Sequence, residues 1–357
     1  MNTTMYQGEN VTVDPPSKCG ASKYVWIFVD SLLFLVIVSG NILTILAIAW
    51  SRKLRHVISN YFILNLAVSD LLVGITLPYH LAFYVNCKLH QDKTICLSRI
   101  VIISMACGES ICNLIAIAID RYIAIVHPLS YNAYATKKRV MLFIAISWAC
   151  VVGVTSMPIC WNCFNTSLKQ CELDTILPRE YTMYILLPSF CLSWIAMFLL
   201  YWKIWREAHM HTRRMNLSVI PHVAEKTDRK SIQVVLLILG CFSICWLPYW
   251  VVVCIKFYEE TVQTDVYNIT FALALANSGM NPFIYAWKST NFRKAFQKIL
   301  RFKSPNENLN ASFKMYLEKQ RELKDQQTNV AENCINGNVQ GHSSDCQFNL
   351  TEENTIL

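Results

Sequence analysis

Asp70 closes the run Leu66-Ala67-Val68-Ser69-Asp70, a carboxylate in otherwise apolar surroundings, and small polar side chains recur in equally apolar stretches: Asn41, Ser110, Asn277, Ser278 and Asn281. Ionisable groups in such places need a partner or a task. One carboxylate among neutral oxygens suits a dehydrated monovalent cation such as sodium, with Asp70, Ser110, Asn277 and Asn281 as candidate ligands; a hydrogen-bonded packing node is the alternative. Asp120-Arg121-Tyr122 ends another apolar stretch. Arg121 has Asp120 as a neighbouring partner and Asp228 as a distant one, a pairing that would tie two helices. The plainer reading is an arginine reaching for the membrane surface. Asn281-Pro282-Phe283-Ile284-Tyr285 and Cys245-Trp246-Leu247-Pro248 each place a proline inside a helical stretch, where the lost hydrogen bond permits a kink. Two kinked helices beside a polar core suggest two packings close in free energy, which a ligand biases.

Cys160-Trp161-Asn162-Cys163 fits a redox C-x-x-C pattern and half of a zinc site. The redox role needs a βαβ context and zinc needs two further ligands, so structural disulfides are expected, Cys87 pairing with Cys160 or Cys163 and Cys19 with what is left. His-Glu-x-x-His and Gly-x-Ser-x-Gly are both absent, and no clustered nucleophile or acid–base pair replaces them. The chain is not expected to be an enzyme.

These residues must be held by long apolar elements. Of 357 residues 54% are hydrophobic and only 16% charged, against roughly 25% charged in soluble domains. The apolar residues fall in runs: Tyr24–Trp50, Ile58–Tyr84, Ile95–Val126, Val140–Ile159, Tyr181–Trp205, Ser231–Ile255 and Val266–Trp287. Each has the roughly 20 residues that carry a helix across the hydrocarbon of a bilayer. The fold class is therefore an all-α membrane protein, a bundle of seven transmembrane helices over 24–287. Residues 288–302 follow as a short amphipathic eighth helix, with Phe292, Phe296, Ile299 and Leu300 apolar and Arg293, Lys294, Lys298 and Arg301 basic.

Basic residues follow the first span (Arg52, Lys53, Arg55), precede the fourth (Lys137, Lys138, Arg139), crowd the fifth-to-sixth connection and follow the seventh. The positive-inside rule puts those loops and the carboxyl terminus in the cytoplasm and residues 1–23 outside. The net charge of +8 reflects that bias, and nucleic-acid binding is not expected. Asn2, Asn10 and Asn165 are the glycosylation acceptors on the outer side. No removable signal peptide is visible before the first span. Residues 303–357 are polar and expected to be disordered, ending in Thr355-Ile356-Leu357, which a PDZ domain would accept by strand addition.

Asn41, Leu66–Asp70, Cys96, Asp120-Arg121-Tyr122, Trp148, Phe242 with Cys245–Pro248, and Asn281–Tyr285 resemble the signature set of the rhodopsin-like (class A) G-protein-coupled receptors, one group on each span except the fifth and in the family's order. The resemblance covers about residues 24–302. It implies sodium at Asp70 and Ser110, a toggle at Trp246, a Cys96–Cys171 disulfide over the ligand entrance, and G-protein coupling near Arg121. The coupling and switch set is Asp120, Arg121, Tyr122, Asp228, Asn281, Pro282 and Tyr285. The fifth span departs from the pattern: the usual proline position, eight before Tyr201, is Ser193, and Pro188 lies one turn earlier.

By the same resemblance the ligand site would be lined by Ile103, Ser104 and Cys107 on the third span and by Trp246, Tyr249, Trp250 and Val253 on the sixth. Phe271, Ala274 and Leu275 on the seventh, Leu173 in the loop and His80 at the side complete it. Amine receptors have an aspartate where this chain has Ile103. Among subfamilies the sequence is most similar to adenosine receptors, through Met157-Pro158, Trp161-Asn162, Tyr181–Tyr184, Asn277-Ser278 and Asp30. Yet Val253, Leu275 and Leu173 stand where that subfamily has asparagine, histidine and phenylalanine, and losing those contacts costs purine specificity. The expected function is a plasma-membrane receptor for a small, weakly charged agonist, adenosine or a nucleoside being the first candidate, promoting nucleotide exchange on a heterotrimeric G protein. Arrestin and a receptor kinase are further expected partners. The alternatives are a class A receptor for an amine or a lipid-like ligand, and a transporter, which would show internal symmetry that is absent here.

Overall fold

The computed structural model describes residues 21–164, 171, 173–215, 223–258, 263–301 and 313–324. Asn2, Asn10, Asn165, Cys19 and the 355–357 terminus lie outside them, and the side chains of Cys87 and Asp228 are likewise not described. Seven long helices form in the expected order: α1 (Ala21–Trp50), α2 (Asn60–Val85), α3 (Lys93–Val126), α4 (Lys137–Ser156), α5 (Leu187–Met215), α6 (Val223–Tyr258) and α7 (Thr264–Lys288). They close into a ring: α1 packs on α2 and α7, α3 on α2, α4 and α5, and α6 on α5 and α7.

Its polarity is the reverse of a soluble protein's. Phe28, Leu35, Ile75, Leu142, Leu192, Ile244 and Phe283 are exposed on the outside, whereas Asp30, Asn41, Asp70, Glu109, Asn113 and Asn281 are buried. Apolar surface of that extent is matched by lipid, and helices satisfy their own backbone groups there. Hydropathy alone undercounts the spans. Six helices are long and apolar enough to cross a membrane, among the described residues. The seventh, α7, is a continuous helix of 25 residues diluted by Thr270, Asn277, Ser278 and Asn281. All four are buried, so its polar side faces the bundle and its outer side carries Ile269 and Phe283.

Local chemistry sets the ends. Asp92 caps α3 by accepting from the Ile95 amide at 2.9 Å, and Thr136 caps α4 by accepting from the Arg139 amide at 3.4 Å. The unusual start of the fifth span has a structural answer: a π-helical turn over Thr182–Leu186 precedes Pro188. The wider turn sits where a proline without an N–H interrupts the ordinary ladder. Gly40 permits the close approach of α1 and α7, since a Cβ there would lie 2.9 Å from the Pro282 ring.

After α7, α8 (Thr290–Leu300) turns Phe292, Ala295 and Phe296 into a cluster with Ala47, Ile48, Leu54 and Tyr285. The eighth helix thus exists as expected. Residues 300–357 form a separate unit. Within it, residues 313–324 make a further helix, α9. That corrects the expectation of a tail without regular structure, because the segment concentrates helix formers (Leu, Lys, Glu, Gln, Arg) without Gly or Pro.

Candidate functional site

The centre of the bundle is built on Asp70, fully buried on α2. Ser110 Oγ of α3 donates to its Oδ1 at 2.8 Å, and Asn281 Nδ2 of α7 donates to its Oδ2 at 2.8 Å. Asn41 adds α1, its amide donating to the carbonyls of Ile37 (2.9 Å) and Ser278 (3.0 Å). Asp70, Ser110 and Asn281 are therefore brought together. Asn277 is buried nearby in sequence but makes no hydrogen bond with Asp70. The set has the chemistry a hard monovalent cation needs, a carboxylate whose hydrogen-bond partners are neutral, the Ser110 hydroxyl and the Asn281 amide, here turned with its nitrogen toward Asp70.

A second polar node gathers around α3. Glu109, also fully buried, takes three donors on Oε1: Asn65 Nδ2 at 2.8 Å, Ser147 Oγ at 2.9 Å and Asn113 Nδ2 at 3.2 Å. Trp148 Nε1 donates to Asn65 Oδ1 at 3.1 Å, which accounts for that indole. Oε2 of Glu109 has no hydrogen-bond partner. The charge in an apolar span was the signal for Glu109; nothing in the spacing pointed to Asn65, Asn113 and Ser147 as its partners.

At the carboxyl-terminal end of α3, Arg121 Nη2 donates to Asp120 Oδ2 at 2.7 Å. The other oxygen of Asp120 accepts from the Tyr131 hydroxyl at 3.0 Å, which in turn is 2.8 Å from Ser59 Oγ. Tyr131 comes from the short helix Pro128–Tyr134 between α3 and α4. Burial, reinforced by the nearby Asp120 charge, pushes its phenol above the ordinary value, so it stays a donor. This residue escaped sequence reasoning; a lone tyrosine in a loop carries no signal. Tyr122 sits beside Lys203 of α5, 5.9 Å from its ring centroid. The proposed Arg121–Asp228 pair lies outside the described side chains. Pro282 lies within α7, and Tyr285 stacks on Phe292 of α8 with ring centroids 5.3 Å apart.

At the other end of α3 the expected lining residues separate into three groups. Trp246, Tyr249, Trp250, Val253 and Ala274 share one apolar cluster with Phe190 of α5. Ile103 and Leu275 belong to another, with Ile37, Val73 and Leu77. Phe271 and Cys107 touch both clusters. Leu173 packs instead with Cys96, Cys171 and Tyr181, so the structure does not bring it to the others. Ser104 is half-buried on α3. Within the aromatic group Phe190 stacks on Trp250 at 5.3 Å, and Tyr249 meets Phe271 at 5.6 Å. The indole N–H groups of Trp246 and Trp250 are buried without acceptors. His80 Nδ1 lies 2.9 Å from Asp30 Oδ2, and the His80 ring is 5.9 Å from that of Phe271.

The cap above this region is the Cys96–Cys171 disulfide. Arg99 donates to the Cys171 carbonyl and lies over the Phe83 ring at 4.3 Å. His90 accepts the Cys171 amide on Nδ1 at 2.9 Å, and its Nε2 meets the Phe83 carbonyl at 3.1 Å. Cys160 and Cys163 are exposed free thiols, so the expected second disulfide is not made. Their backbones are held otherwise, the Cys160 amide on the Met157 carbonyl and the Cys163 amide on the Ile176 carbonyl. No group of three metal-binding side chains occurs among the described residues.

The family model for the seven-transmembrane receptors of the rhodopsin family matches residues 40–285. The chain belongs to the rhodopsin-like receptor family. This receptor is 31% identical over 281 residues to the histamine H2 receptor of Cavia porcellus, covering 75% of this chain and 77% of that one. It is 28% identical over 309 residues to the 5-hydroxytryptamine receptor 4 of Homo sapiens, covering 78% and 80%. With the adenosine receptor A2a of Canis lupus familiaris it shares 30% over 306 residues, covering 78% and 73%. The receptor is therefore a multi-pass membrane protein that takes a small molecule and couples to a G protein, and it is not an enzyme.

Proposed function

We infer that this receptor sits in the plasma membrane with its amino terminus outside, and that a small, weakly charged agonist enters beneath the Cys96–Cys171 cap. The observation that carries the ligand reading is the pair of buried indole N–H groups on Trp246 and Trp250, which have no acceptor. A buried donor left unmade is costly, so a ligand offering acceptor atoms to the aromatic cluster gains from both. Nucleosides have that chemistry, as do other heteroaromatic ligands. The test is a cAMP and calcium panel of nucleosides, amines and lipids, repeated in Trp250→Phe. A loss of about tenfold in agonist potency is expected from one hydrogen bond; a response only to large peptides overturns the reading.

An amine ligand is the second reading, favoured by one observation. Ile103 provides no counter-ion, but Asp30 is a buried acid on the outer half of α1, beside His80. The relatives named for histamine and 5-hydroxytryptamine make it worth the same panel, with Asp30→Asn selectively losing amine responses.

Asp70, Ser110 and Asn281 would hold sodium, with Asn277 displaced from the set, and the ion would supply the positive charge that the carboxylate lacks. Asp120, Arg121 and Tyr122, with Asp228 on α6, would form the cytoplasmic lock, opened as α6 and α7 move about Pro248 and Pro282. Arrestin, a receptor kinase and a PDZ protein at Thr355–Leu357 remain proposals for the cytoplasmic side, and glycans at Asn2, Asn10 and Asn165 for the outer side.

A further inference from the structure

The α9 helix, residues 313–324, is exposed along its whole length. Phe313 is 61% exposed, Tyr316 60%, Leu317 42% and Leu323 47%. Successive helical residues turn by about 100°, which puts these four on one face together with Gln320. Lys314 and Arg321 border that face on one side and Lys319 on the other. Glu318 and Glu322 occupy the opposite pole, with Met315 beside them, and Lys324 ends the apolar face. Lys314 and Glu318 approach to 4.0 Å along the helix, and Gln320 Nε2 donates to the Tyr316 hydroxyl at 3.4 Å. A helix this short is marginal by itself in water, so its apolar face must be covered for it to persist.

We propose that α9 is a membrane-surface anchor that lies on anionic lipid. The division of charge selects that occupant. Basic side chains flank the apolar face at the level of lipid headgroups, while both acids point to the side farthest from them. The segment between α8 and α9, residues 301–312, reaches about 40 Å when extended, ample for α9 to return to the bilayer surface. The in-cell form of this inference, docking on the anionic inner leaflet, rests on the cytoplasmic placement of the carboxyl terminus proposed above.

The test is hydrogen exchange on the full-length receptor in nanodiscs of phosphatidylcholine alone and with phosphatidylserine added. Amides of 313–324 are expected to exchange at least about tenfold more slowly with phosphatidylserine. That protection should be lost in high salt, in Lys314→Glu/Arg321→Glu, and in Phe313→Ser/Leu317→Ser, with the bundle's own exchange unchanged. Equal rates in the two lipids, or protection indifferent to all these changes, overturn the proposal and point to a protein surface or to a solvated helix. Antibody access to a carboxyl-terminal epitope, in intact against permeabilised cells, tests the placement separately. An epitope exposed on intact cells refutes the placement while leaving the nanodisc result standing.

Discussion

Replacing Tyr131 by phenylalanine removes one hydroxyl from the Asp120–Arg121 lock and almost nothing else. That hydroxyl donates to Asp120 Oδ1 at 3.0 Å and meets Ser59 Oγ at 2.8 Å. Asp120 is 7% exposed, so the oxygen it loses is not readily resolvated. A hydrogen bond to a charged group contributes about 1.5–3 kcal/mol; Tyr131 is half-buried, which argues for the lower end. If the bond exists only in the closed packing, a loss of about 1.4 kcal/mol shifts the closed-to-open equilibrium tenfold. A receptor resting with about 1% open would rise to about 10%. Agonist-free nucleotide exchange, measured on matched amounts of purified receptor with a panel of G proteins, reads that population without an identified ligand. Ser59→Ala, which leaves the Asp120 bond in place, is expected to raise exchange by less. Unchanged exchange in Tyr131→Phe alongside raised exchange in Asp120→Asn would refute the role given to the tyrosine.

The disulfide closes a sequence separation of 75 residues, for which chain entropy alone gives about 4.5 kcal/mol; Cys96→Ala/Cys171→Ala should lower the thermal midpoint and the surface yield, and an unchanged midpoint would count against the cap as a stabilising element. Glu109→Leu removes the acceptor shared by Asn65, Asn113 and Ser147, each of which keeps a second one, Asn113 Oδ1, the Glu109 carbonyl and the Ile144 carbonyl; the thermal midpoint should fall by the equivalent of about 1–3 kcal/mol in all, whereas a rise would show that the unpartnered Oε2 outweighs the three lost bonds. Replacing sodium by choline at constant ionic strength should raise agonist-free exchange in the native receptor and leave Asp70→Asn unmoved; sodium sensitivity that persists in the variant removes the ion from this site.

Much of the fold was legible because crossing a bilayer is a local requirement. Leu66–Asp70, Asp120–Tyr122 and Asn281–Tyr285 were recognisable as motifs before any contact was known, and the α8 amphipathic pattern was read correctly. The errors are equally instructive. Cys160 or Cys163 was expected to pair with Cys87, yet both are exposed free thiols. The α9 segment was assigned to disorder on composition, which averages over 303–357 and hides a short amphipathic helix. The expected ligand-lining residues do not form one wall, since Leu173 belongs with the cap and Ile103 with the α1–α2 cluster.

The sequence by itself determined that the chain spans a membrane, in what order its spans follow one another, which loops carry positive charge, and which family its motifs resemble. These follow from apolar run length, charge counts and short-range order, none of which depends on how helices meet. Only the tertiary structure decided that Asp70 takes Ser110 and Asn281 but not Asn277, that Glu109 gathers Asn65, Asn113 and Ser147, and that Tyr131 shares Asp120 with Arg121. Partners of this kind lie up to 211 residues apart. They meet only when every helix has its final rotation and tilt, and those are fixed by packing across the whole bundle.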